Sequence, residues 1–250
     1  MDNCTYIDLL LTAGQLLLEA GAETYRAEDA ALYIFKQIGQ GEINIFAVPT
    51  VLIIDIKTPE GESVSGVRRI RRRSIDLGKI ERINTVVRHV SAGELAPDAA
   101  LRALTEIDAK TGGSTGRTMF VTALAAGAFS LLLDGGLCEV GLAFLCCLVA
   151  QCASLFFSKV SMYQFFSSFL GGFVPTLILA LATRLLPALS AETVLLASML
   201  PLFPGVATVN AIRDAINGDL ISGVSRAAEA LMIAFGLGMG ASVSILLGVA

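Results

Sequence analysis

The sequence predicts an α-helical polytopic membrane protein with about five transmembrane helices and an N-terminal α+β cytoplasmic domain. The first observation is composition: 54% of the 250 residues are hydrophobic and 16% are charged, whereas soluble domains carry about 25% charged residues. The second is charge distribution, because 13 of the 18 Lys and Arg and 16 of the 22 Asp and Glu precede Arg117. We therefore predict a cytoplasmic domain over residues 1–116 and a transmembrane domain over residues 117–250.

The elements of the first domain follow from the spacing of its apolar residues. Apolar positions three and four residues apart predict helices, and β-branched runs between turn residues predict strands. The predicted helices cover residues 5–20, 23–38, 76–90 and a segment from about 97, and the predicted strands cover residues 43–48, 51–56 and 63–72. The first helix is shorter than the roughly 20 residues that span a bilayer, so we expect a core or interfacial helix.

Five apolar segments follow a glycine-rich linker at residues 112–116. They cover about 118–133, 137–157, 165–185, 193–209 and 227–250, each near the length of a membrane-spanning helix. With the first domain in the cytoplasm, the inner side carries most of the basic residues, as the positive-inside rule favours. These inner residues are Arg117, Lys159, Arg213 and Arg226, and Arg184 lies outside. We predict a multi-pass protein of the plasma (inner) membrane with its C-terminus outside.

Small residues predict where helices of the membrane half pack closely. Gly236 and Gly240 form a GxxxG pattern, and Gly171–Gly172 is followed by Pro175. A GxxxG pattern lets helix backbones approach each other in a membrane, and the two glycines with the proline make the third predicted span bendable. The odd number of spans leaves no evident inverted repeat, which favours assembly with a second copy or with another membrane subunit.

The most polar stretch of the membrane half covers residues 201–229. Asn210, Asp214 and Asn217 are spaced to share one face of a helix, and the next helix has a second polar face made of Asp219, Ser222, Arg226 and Glu229. The predicted helix breaks are Pro201, Pro204, Gly205 and Gly218. Two interpretations stay open: these polar residues form a substrate-binding site between membrane helices, or they belong to a cytoplasmic loop whose charges lie in water.

A second polar cluster lies near the N-terminus and contains Glu19, Glu23, Thr24, Arg26 and Glu28. Thr24 is of the type that caps helices, with Glu28 in the first turns that follow. A cap alone does not account for the acidic density beside Arg26. A docking or gating surface against the membrane half is the functional interpretation.

Other chemistries have little support in the sequence. It contains no HExxH, GxSxG, P-loop or GxGxxG motif, so we predict no enzyme, no cofactor and no metal site. The arginine-rich run over residues 68–73 is of a kind that binds nucleic acid or anionic lipid. Alternate residues of a strand point to opposite faces, so we expect a solvated basic strand and no nucleic-acid partner.

Three motifs occur in order along the chain. They are Gly14-Gln-Leu-Leu-Leu-Glu19-Ala-Gly21-Ala-Glu23-Thr24-Tyr-Arg26-Ala-Glu28, Ile80-Glu-Arg-Ile-Asn84 and Pro204-Gly205…Asn210…Asp214…Gly218-Asp219…Gly223…Arg226…Glu229-Ala230. Together they resemble the threonine/serine exporter family, and within it the split, YjjP-type form. The resemblance implies export of threonine and serine or, for split members, of succinate. It also implies a separate four-span membrane subunit, because this chain stops after the fifth predicted span.

The resemblance suggests roles for the polar residues. The solutes carry a carboxylate, which Arg226 or Arg213 is expected to bind through charge-assisted hydrogen bonds. Asp214, Asp219 or Glu229 is expected to bind an ammonium group or to carry a coupling proton. An ion pair of Arg226 with Glu229 along one helix is the structural alternative.

The predicted function is therefore secondary export of small carboxylate or amino-acid solutes, with the lipid bilayer and a second membrane subunit or second copy as partners. Two alternatives come from other classes of protein. One is a membrane-anchored enzyme with its chemistry around Glu23, Glu28 and Asp29. The other is a regulatory subunit whose polar face packs against a partner helix.

Overall fold

The computed structural model describes residues 3–59, 61–110, 114–158 and 164–248. The chain divides into two compact units, and the first combines Met1–Gly112 with Val209–Ala227. The second combines Gly113–Thr208 with Ala228–Ala250. The central part of the predicted polar stretch therefore belongs to the same unit as the N-terminal domain. Part of the predicted linker, Lys159 and the last two residues of the predicted fifth span lie outside the described residues.

The N-terminal part of the first unit has the predicted order of two helices, three strands and two helices. Its elements are α1 (Asn3–Glu19), α2 (Thr24–Ile38), β1 (Glu42–Val48), β2 (Val51–Lys57), β3 (Ser63–Arg69), α3 (Leu77–Ser91) and α4 (Pro97–Ala109). The third strand is three residues shorter than the predicted 63–72. Arg69 is the last residue of β3 that pairs with a residue of β2, because it lies opposite Val51, where β2 begins.

The core of this unit forms between helix α1 and one face of the sheet. The sheet is antiparallel in the order β1-β2-β3, and Ile54 of β2 lies between Ile45 and Gly66. A side chain at Gly66 would collide with Leu11 of α1. Six leucines of α1, at positions 9, 10, 11, 16, 17 and 18, are at most 2% exposed. Each such side chain stabilises the fold by about 1.5–3 kcal/mol, so α1 is a core helix, as its length predicted.

Six further helices follow in the described residues. They are α5 (Thr115–Leu132), α6 (Leu137–Ser158), α7 (Gln164–Leu185), α8 (Ala191–Met199), α9 (Gly205–Ile216) and α10 (Leu220–Gly248). Some of them are long and apolar enough to cross a membrane. Among the described residues, α5, α6, α7 and α10 qualify singly, and only 22–33% of each apolar window is buried inside the protein. Apolar surface of this extent suits a lipid environment. The chain is thus a mostly helical polytopic membrane protein with a three-stranded sheet.

The segment predicted as one span over residues 193–209 is not a continuous helix. A short 3₁₀ turn, Leu200–Leu202, follows α8, and α9 begins at Gly205, so that the two arms are bent by 54°. Pro204 lacks the N–H that would continue the ladder of helix hydrogen bonds. The described part of the chain therefore contains four candidate spans, or up to five if the bent pair counts as one.

Helix α10 begins at Leu220, seven residues before the predicted start at 227. The apolar run underestimates the helix because its first two turns carry polar residues that are buried within the first unit. Ser222 and Arg226 are 1% and 5% exposed. Hydropathy alone assigns such residues to a solvated loop, whereas contacts with the rest of the unit keep them helical.

The second unit contains a close crossing of α7 and α10 at the predicted glycine positions. A side chain at Gly172 would collide with the carbonyl of Leu237, and one at Gly240 would collide with the carbonyl of Phe169. At Gly236 the added carbon would lie 3.0 Å from the carbonyl of Phe165. The backbones of the two helices approach so closely because these positions lack side chains.

Candidate functional site

The site begins with the tight turn that joins α9 to α10. Gly218 has a φ of +94°, a left-handed conformation that glycine adopts without steric cost. The N–H of Asp219 donates to the carbonyl of Asp214 (2.9 Å), and that of Gly218 donates to Ala215 (3.2 Å). This pattern is the Schellman motif, which ends a helix and reverses the chain. A side chain at Gly223 would lie 3.0 Å from the Cβ of Ala215, so the two helices are in close contact after the turn.

The turn brings Asp214 of α9 and Arg226 of α10 into an ion pair. Nε of Arg226 lies 2.9 Å from Oδ2 of Asp214, and the two side chains are 6% and 0% exposed. Removal of two charges from water carries a large desolvation cost, which is offset only when further hydrogen bonds satisfy both groups. The additional partners are therefore the informative feature of this pair.

Those partners come from residues 21–24, the turn between α1 and α2. Oδ1 of Asp214 accepts the backbone N–H of Thr24 (3.0 Å), and Oδ2 accepts its hydroxyl (3.1 Å). Nη2 of Arg226 donates to the carbonyl of Ala22 (2.7 Å). Nδ2 of Asn210 donates to the carbonyl of Gly21 (3.0 Å). Three side chains from the predicted polar stretch thus hold a segment about 190 residues earlier in the chain.

The local fold presents these backbone groups. Gly21 has a φ of +82° and ends α1 in a second Schellman motif, in which Ala22 N–H donates to Leu17. The prediction that Thr24 caps a helix is wrong. Glu23 occupies the N-cap position of α2, and its side chain makes no capping hydrogen bond. Thr24 is instead the first residue of α2, and its N–H is one of those that a helix leaves without an internal partner. Asp214 supplies the missing acceptor.

Glu23 joins the same two regions through charge. Its carboxylate accepts from Nη1 of Arg213 (2.6 Å) and lies 3.1 Å from Nε of Arg26. Burial by itself would raise the pKa of Glu23. Hydrogen bonds from its own N–H and from Arg213, together with the charges of both arginines, hold that pKa below its ordinary value. Glu23 is therefore ionised at neutral pH and contributes a second link between α2 and α9.

Two further acidic residues of this unit lie in an unfavourable environment for charge. The pKa of Glu28 is raised, chiefly by burial and also by the charges of Asp219 and Asp29, although Ala47 N–H donates to its Oε1 (2.8 Å). Burial and the charge of Asp214 likewise raise the pKa of Asp219. Both groups therefore take up a proton at a higher pH than an exposed carboxyl would.

The structure separates the predicted site residues into two groups. Asn210, Asp214 and Arg226 converge on residues 21–24, and Glu23 and Thr24 lie in or beside that contact. Asn217 is exposed at the end of α9, and Glu229 is half-buried in the part of α10 that belongs to the second unit. Glu19 accepts a hydrogen bond from Gln15 within α1 (2.8 Å). Pro201, Pro204 and Gly205 mark the bend between α8 and α9.

Sequence patterns did not reveal every participant. The carbonyls of Gly21 and Ala22 are backbone groups, so the type of residue does not indicate that they accept hydrogen bonds here. The ion pair of Arg213 with Glu23 forms only through tertiary contact. Ser222, one turn before Arg226 on α10, is 1% exposed, and its hydroxyl has no hydrogen-bond partner among the described residues. The helical spacing of the sequence placed Ser222 on the polar face that carries Arg226, but it gave no role to the hydroxyl.

Comparison with known proteins decides the family. Residues 8–248 match the family model described as "Putative threonine/serine exporter". The chain belongs to the threonine/serine exporter family. It is 23% identical over 250 residues to the "Probable threonine/serine exporter" of Mycobacterium tuberculosis, a match that covers 96% of this chain and 45% of the relative. It is also 23% identical over 259 residues to the "Threonine/serine exporter" of Corynebacterium glutamicum, covering 97% and 52%.

The chain spans about half the length of the curated relatives that it matches. No solved structure matches it. Membership of an exporter family, together with the apolar helices, identifies a multi-pass membrane protein whose family moves a small solute. Within the part of the chain that the structure describes, no three His, Cys, Asp or Glu side chains are grouped to hold a metal ion.

Proposed function

We propose that this chain is a subunit of a secondary exporter for small carboxylate or amino-acid solutes. Threonine and serine are the first candidates, because both curated relatives carry these solutes in their names. A dicarboxylate such as succinate is the second candidate, and the split form of the family was expected to move it. The buried ion pair of Asp214 and Arg226 is the observation on which the proposal depends.

This pair matches the chemistry of an amino acid. A guanidinium binds a carboxylate through two parallel hydrogen bonds, and a carboxylate binds an ammonium group through charge-assisted hydrogen bonds. Arg226 is therefore assigned to the carboxylate of the solute and Asp214 to its ammonium group. Asn210 lies one turn before Asp214 on α9 and adds an amide donor. Asp219, whose pKa is raised by burial and by Asp214, is assigned to the coupling proton.

The two chain segments that make up the first unit support five membrane crossings. Residues 1–112 and Val209–Ala227 share one compact unit, held together by hydrogen bonds at residues 21–24. Two segments of one such unit lie on the same side of a membrane, so an even number of crossings separates the start of α5 from Gly218. Helices α5, α6 and α7 supply three, which makes the bent α8–α9 pair the fourth and α10 the fifth.

The proposal includes an orientation and a partner. The basic residues favour a cytoplasmic location for the N-terminal domain, which places the end of α10 outside the plasma membrane. The relatives are about twice as long as this chain. A further membrane-embedded part, either a separate four-span subunit or a second copy, completes the pathway of the solute.

Transport in reconstituted vesicles tests the assignment of the pair. Vesicles that contain the chain and its partner should release labelled L-threonine when a proton gradient is applied. Asp214→Asn and Arg226→Ala should abolish this release, because each leaves a buried charge without its partner. Asn217→Ala is the matched control, since Asn217 is exposed in the turn that follows α9, and it should leave release unchanged. Release that persists in both pair variants, at equal protein levels, contradicts the assignment.

A regulatory role is the second candidate, and one observation favours it. The hydrogen-bonding groups of Asp214 that the pair offers to a solute are already taken by Thr24 of the same chain. In a regulatory subunit this contact is permanent and no solute binds there. Hydrogen exchange separates the two functions: a regulatory contact protects the Thr24 amide equally with and without L-threonine.

A further inference from the structure

The segment of residues 21–24 offers to the ion pair the same chemical groups as a hydroxylated amino acid. Thr24 presents a nitrogen-bound hydrogen and a β-hydroxyl to Asp214, and Ala22 presents a carbonyl oxygen to Arg226. We propose that this segment is a built-in occupant of the Asp214–Arg226 site, and that the solute of the proposed function reaches the site only once the segment leaves. The inference rests on the proposed function and adds the state of the site.

The contact with Asp214 is bidentate in a specific way. The nitrogen of Thr24 lies 3.0 Å from Oδ1 and its hydroxyl oxygen lies 3.1 Å from Oδ2. One carboxylate therefore binds two groups, the nitrogen on Cα and the hydroxyl on Cβ of the same residue. Free threonine and serine carry their amino nitrogen and hydroxyl on the same two carbons. Their amino group is charged, unlike the amide of Thr24, and a charged donor makes the stronger hydrogen bond.

The second contact follows the same logic. The carbonyl of Ala22 accepts one hydrogen bond from Nη2 of Arg226, whereas a free carboxylate offers two oxygens and a full charge to the guanidinium. A free solute thus gains more from each contact than the segment does. The segment compensates through its high effective concentration, because it is attached to the same unit.

Ser222 is a further buried polar group on the helix that carries Arg226. Its hydroxyl is buried on the face of α10 that carries Arg226, and it has no hydrogen-bond partner among the described residues. A buried hydroxyl without a partner costs about 1–3 kcal/mol. A bound solute with several polar groups can supply the missing partner, which the segment in its present position does not.

A purely structural contact makes a different prediction. If Thr24 served only to attach α2 to α9, its loss would lower stability and leave solute binding unchanged or weaker. If the segment occupies the site, a solute binds only to the molecules from which the segment has been released. The apparent affinity is then the intrinsic affinity multiplied by the fraction of such molecules. Weaker attachment of the segment should then tighten solute binding.

Thr24 permits a graded set of variants. Thr24→Val keeps the shape and the N–H but removes the hydroxyl. Thr24→Pro removes both donors, and proline is favoured at the first position of a helix, where Thr24 lies. Glu23, with φ −62° and ψ 150°, already has the extended backbone that precedes a proline. Thr24→Ser keeps both donors and is the control.

The test is binding of L-threonine to the full chain in lipid nanodiscs, measured by calorimetry. Thr24→Val should bind L-threonine about tenfold more tightly than the unmodified chain, and Thr24→Pro more tightly still, since each lost bond to a charged acceptor favours release of the segment. Thr24→Ser should match the unmodified chain. L-valine, the isostere of threonine without a hydroxyl, should bind at least about tenfold more weakly to every form.

Hydrogen exchange on the unmodified chain gives a readout that needs no variant. Saturating L-threonine should speed exchange of the Thr24 amide, because the solute takes its place on Asp214. Protection that is unchanged or increased contradicts the inference. So does a Thr24 series that binds L-threonine no more tightly than the unmodified chain, or that binds L-valine equally well.

Failure of the inference is distinguishable from failure of the proposed function. If Asp214→Asn abolishes L-threonine binding while the Thr24 variants bind like the unmodified chain, the solute site stands and the built-in occupant is wrong. If Thr24→Pro is folded, as shown by its thermal unfolding, and still binds no L-threonine, both the occupant and the amino-acid site are wrong.

Discussion

At the residue scale, the first unit contains one buried and one half-buried glutamate with opposite electrostatic environments. Glu23 lies between two arginines, which hold its pKa below the ordinary value despite burial. Glu28 receives one backbone hydrogen bond but lies near other acidic charges, and burial raises its pKa. The partners, and not burial alone, therefore decide whether each carboxylate strengthens or weakens the fold at neutral pH.

Glu23→Gln should lower the stability of the protein at neutral pH. Because the folded-state pKa of Glu23 is depressed, its stabilisation is present above the unfolded pKa of about 4.3 and is lost as the pH falls through the folded value. The expected loss is about 1 kcal/mol at pH 7, limited by the exposure of Arg213 and Arg26. Thermal unfolding between pH 3 and pH 7 should show the difference shrinking in acid. Glu42→Gln, at an exposed position of β1, is the control, and a pH-independent effect at Glu23 contradicts the assignment.

Glu28→Gln should have the opposite effect. A raised folded-state pKa means that ionised Glu28 opposes folding as the pH rises from its unfolded pKa of about 4.3. Gln keeps an oxygen that can accept the N–H of Ala47 and carries no charge. The variant should therefore unfold at a higher temperature than the unmodified protein near pH 7, with the advantage vanishing below pH 4. Equal unfolding temperatures at pH 7 would show that Glu28 is not electrostatically unfavourable.

At the element scale, the candidate site is the meeting of two helix–glycine–helix turns. Helix α1 ends at a left-handed Gly21 and α9 ends at a left-handed Gly218, each in a Schellman motif. The first turn presents backbone groups, and the second brings together the side chains of α9 and α10 that bind them. In the second unit, glycines also allow the backbones of α7 and α10 to lie close together where the two helices cross.

Gly240→Ala should destabilise the second unit, whereas Gly238→Ala should not. An added carbon at Gly240 collides with the carbonyl of Phe169, and one at Gly238 meets nothing within 4 Å. Separation of α7 from α10 is expected to cost about 1–3 kcal/mol. Both changes raise helix propensity equally, so Gly238→Ala is a matched control on the same helix. Thermal unfolding in detergent measures the difference, and similar melting of the two variants would contradict the close crossing.

At the scale of the whole molecule, the first unit is assembled from distant parts of the chain. Its N-terminal domain is joined by Val209–Ala227, which lies beyond the first three membrane-spanning helices. The contacts of residues 21–24 therefore form only after the chain has been synthesised through α9 and the first turns of α10. This connectivity is also the basis for the proposal of five crossings.

The proposed topology predicts opposite locations for the two ends of the membrane half. A reporter fused after residue 250 should be active only outside the cell, because five crossings separate it from a cytoplasmic N-terminal domain. Cys138, exposed just after the start of α6, should react with an impermeant maleimide on intact cells, and Cys138→Ser should lose this labelling. A cytoplasmic reporter at residue 250 would mean that the bent α8–α9 pair re-enters without crossing.

Local sequence patterns account for the order of the elements and for the breaks between them. The order of helices and strands in the N-terminal domain follows from apolar periodicity, and the bend before Gly205 follows from prolines that cannot continue a helix. The glycines of α10 were identified as contact positions from their GxxxG spacing, whereas those of α7 were expected to make the helix bendable and are contact positions as well. The start of α10 was misplaced, because its buried polar turns resemble a loop in composition.

Only the tertiary structure decided which polar groups meet. Asn210, Asp214 and Arg226 were identified as a polar set, but their partners are the backbone and hydroxyl of residues about 190 positions away. No local pattern encodes a pairing at that separation, and a backbone carbonyl has no signature in residue type. The desolvation cost of the Asp214–Arg226 pair requires such partners, and the fold supplies them through the turn at Gly21.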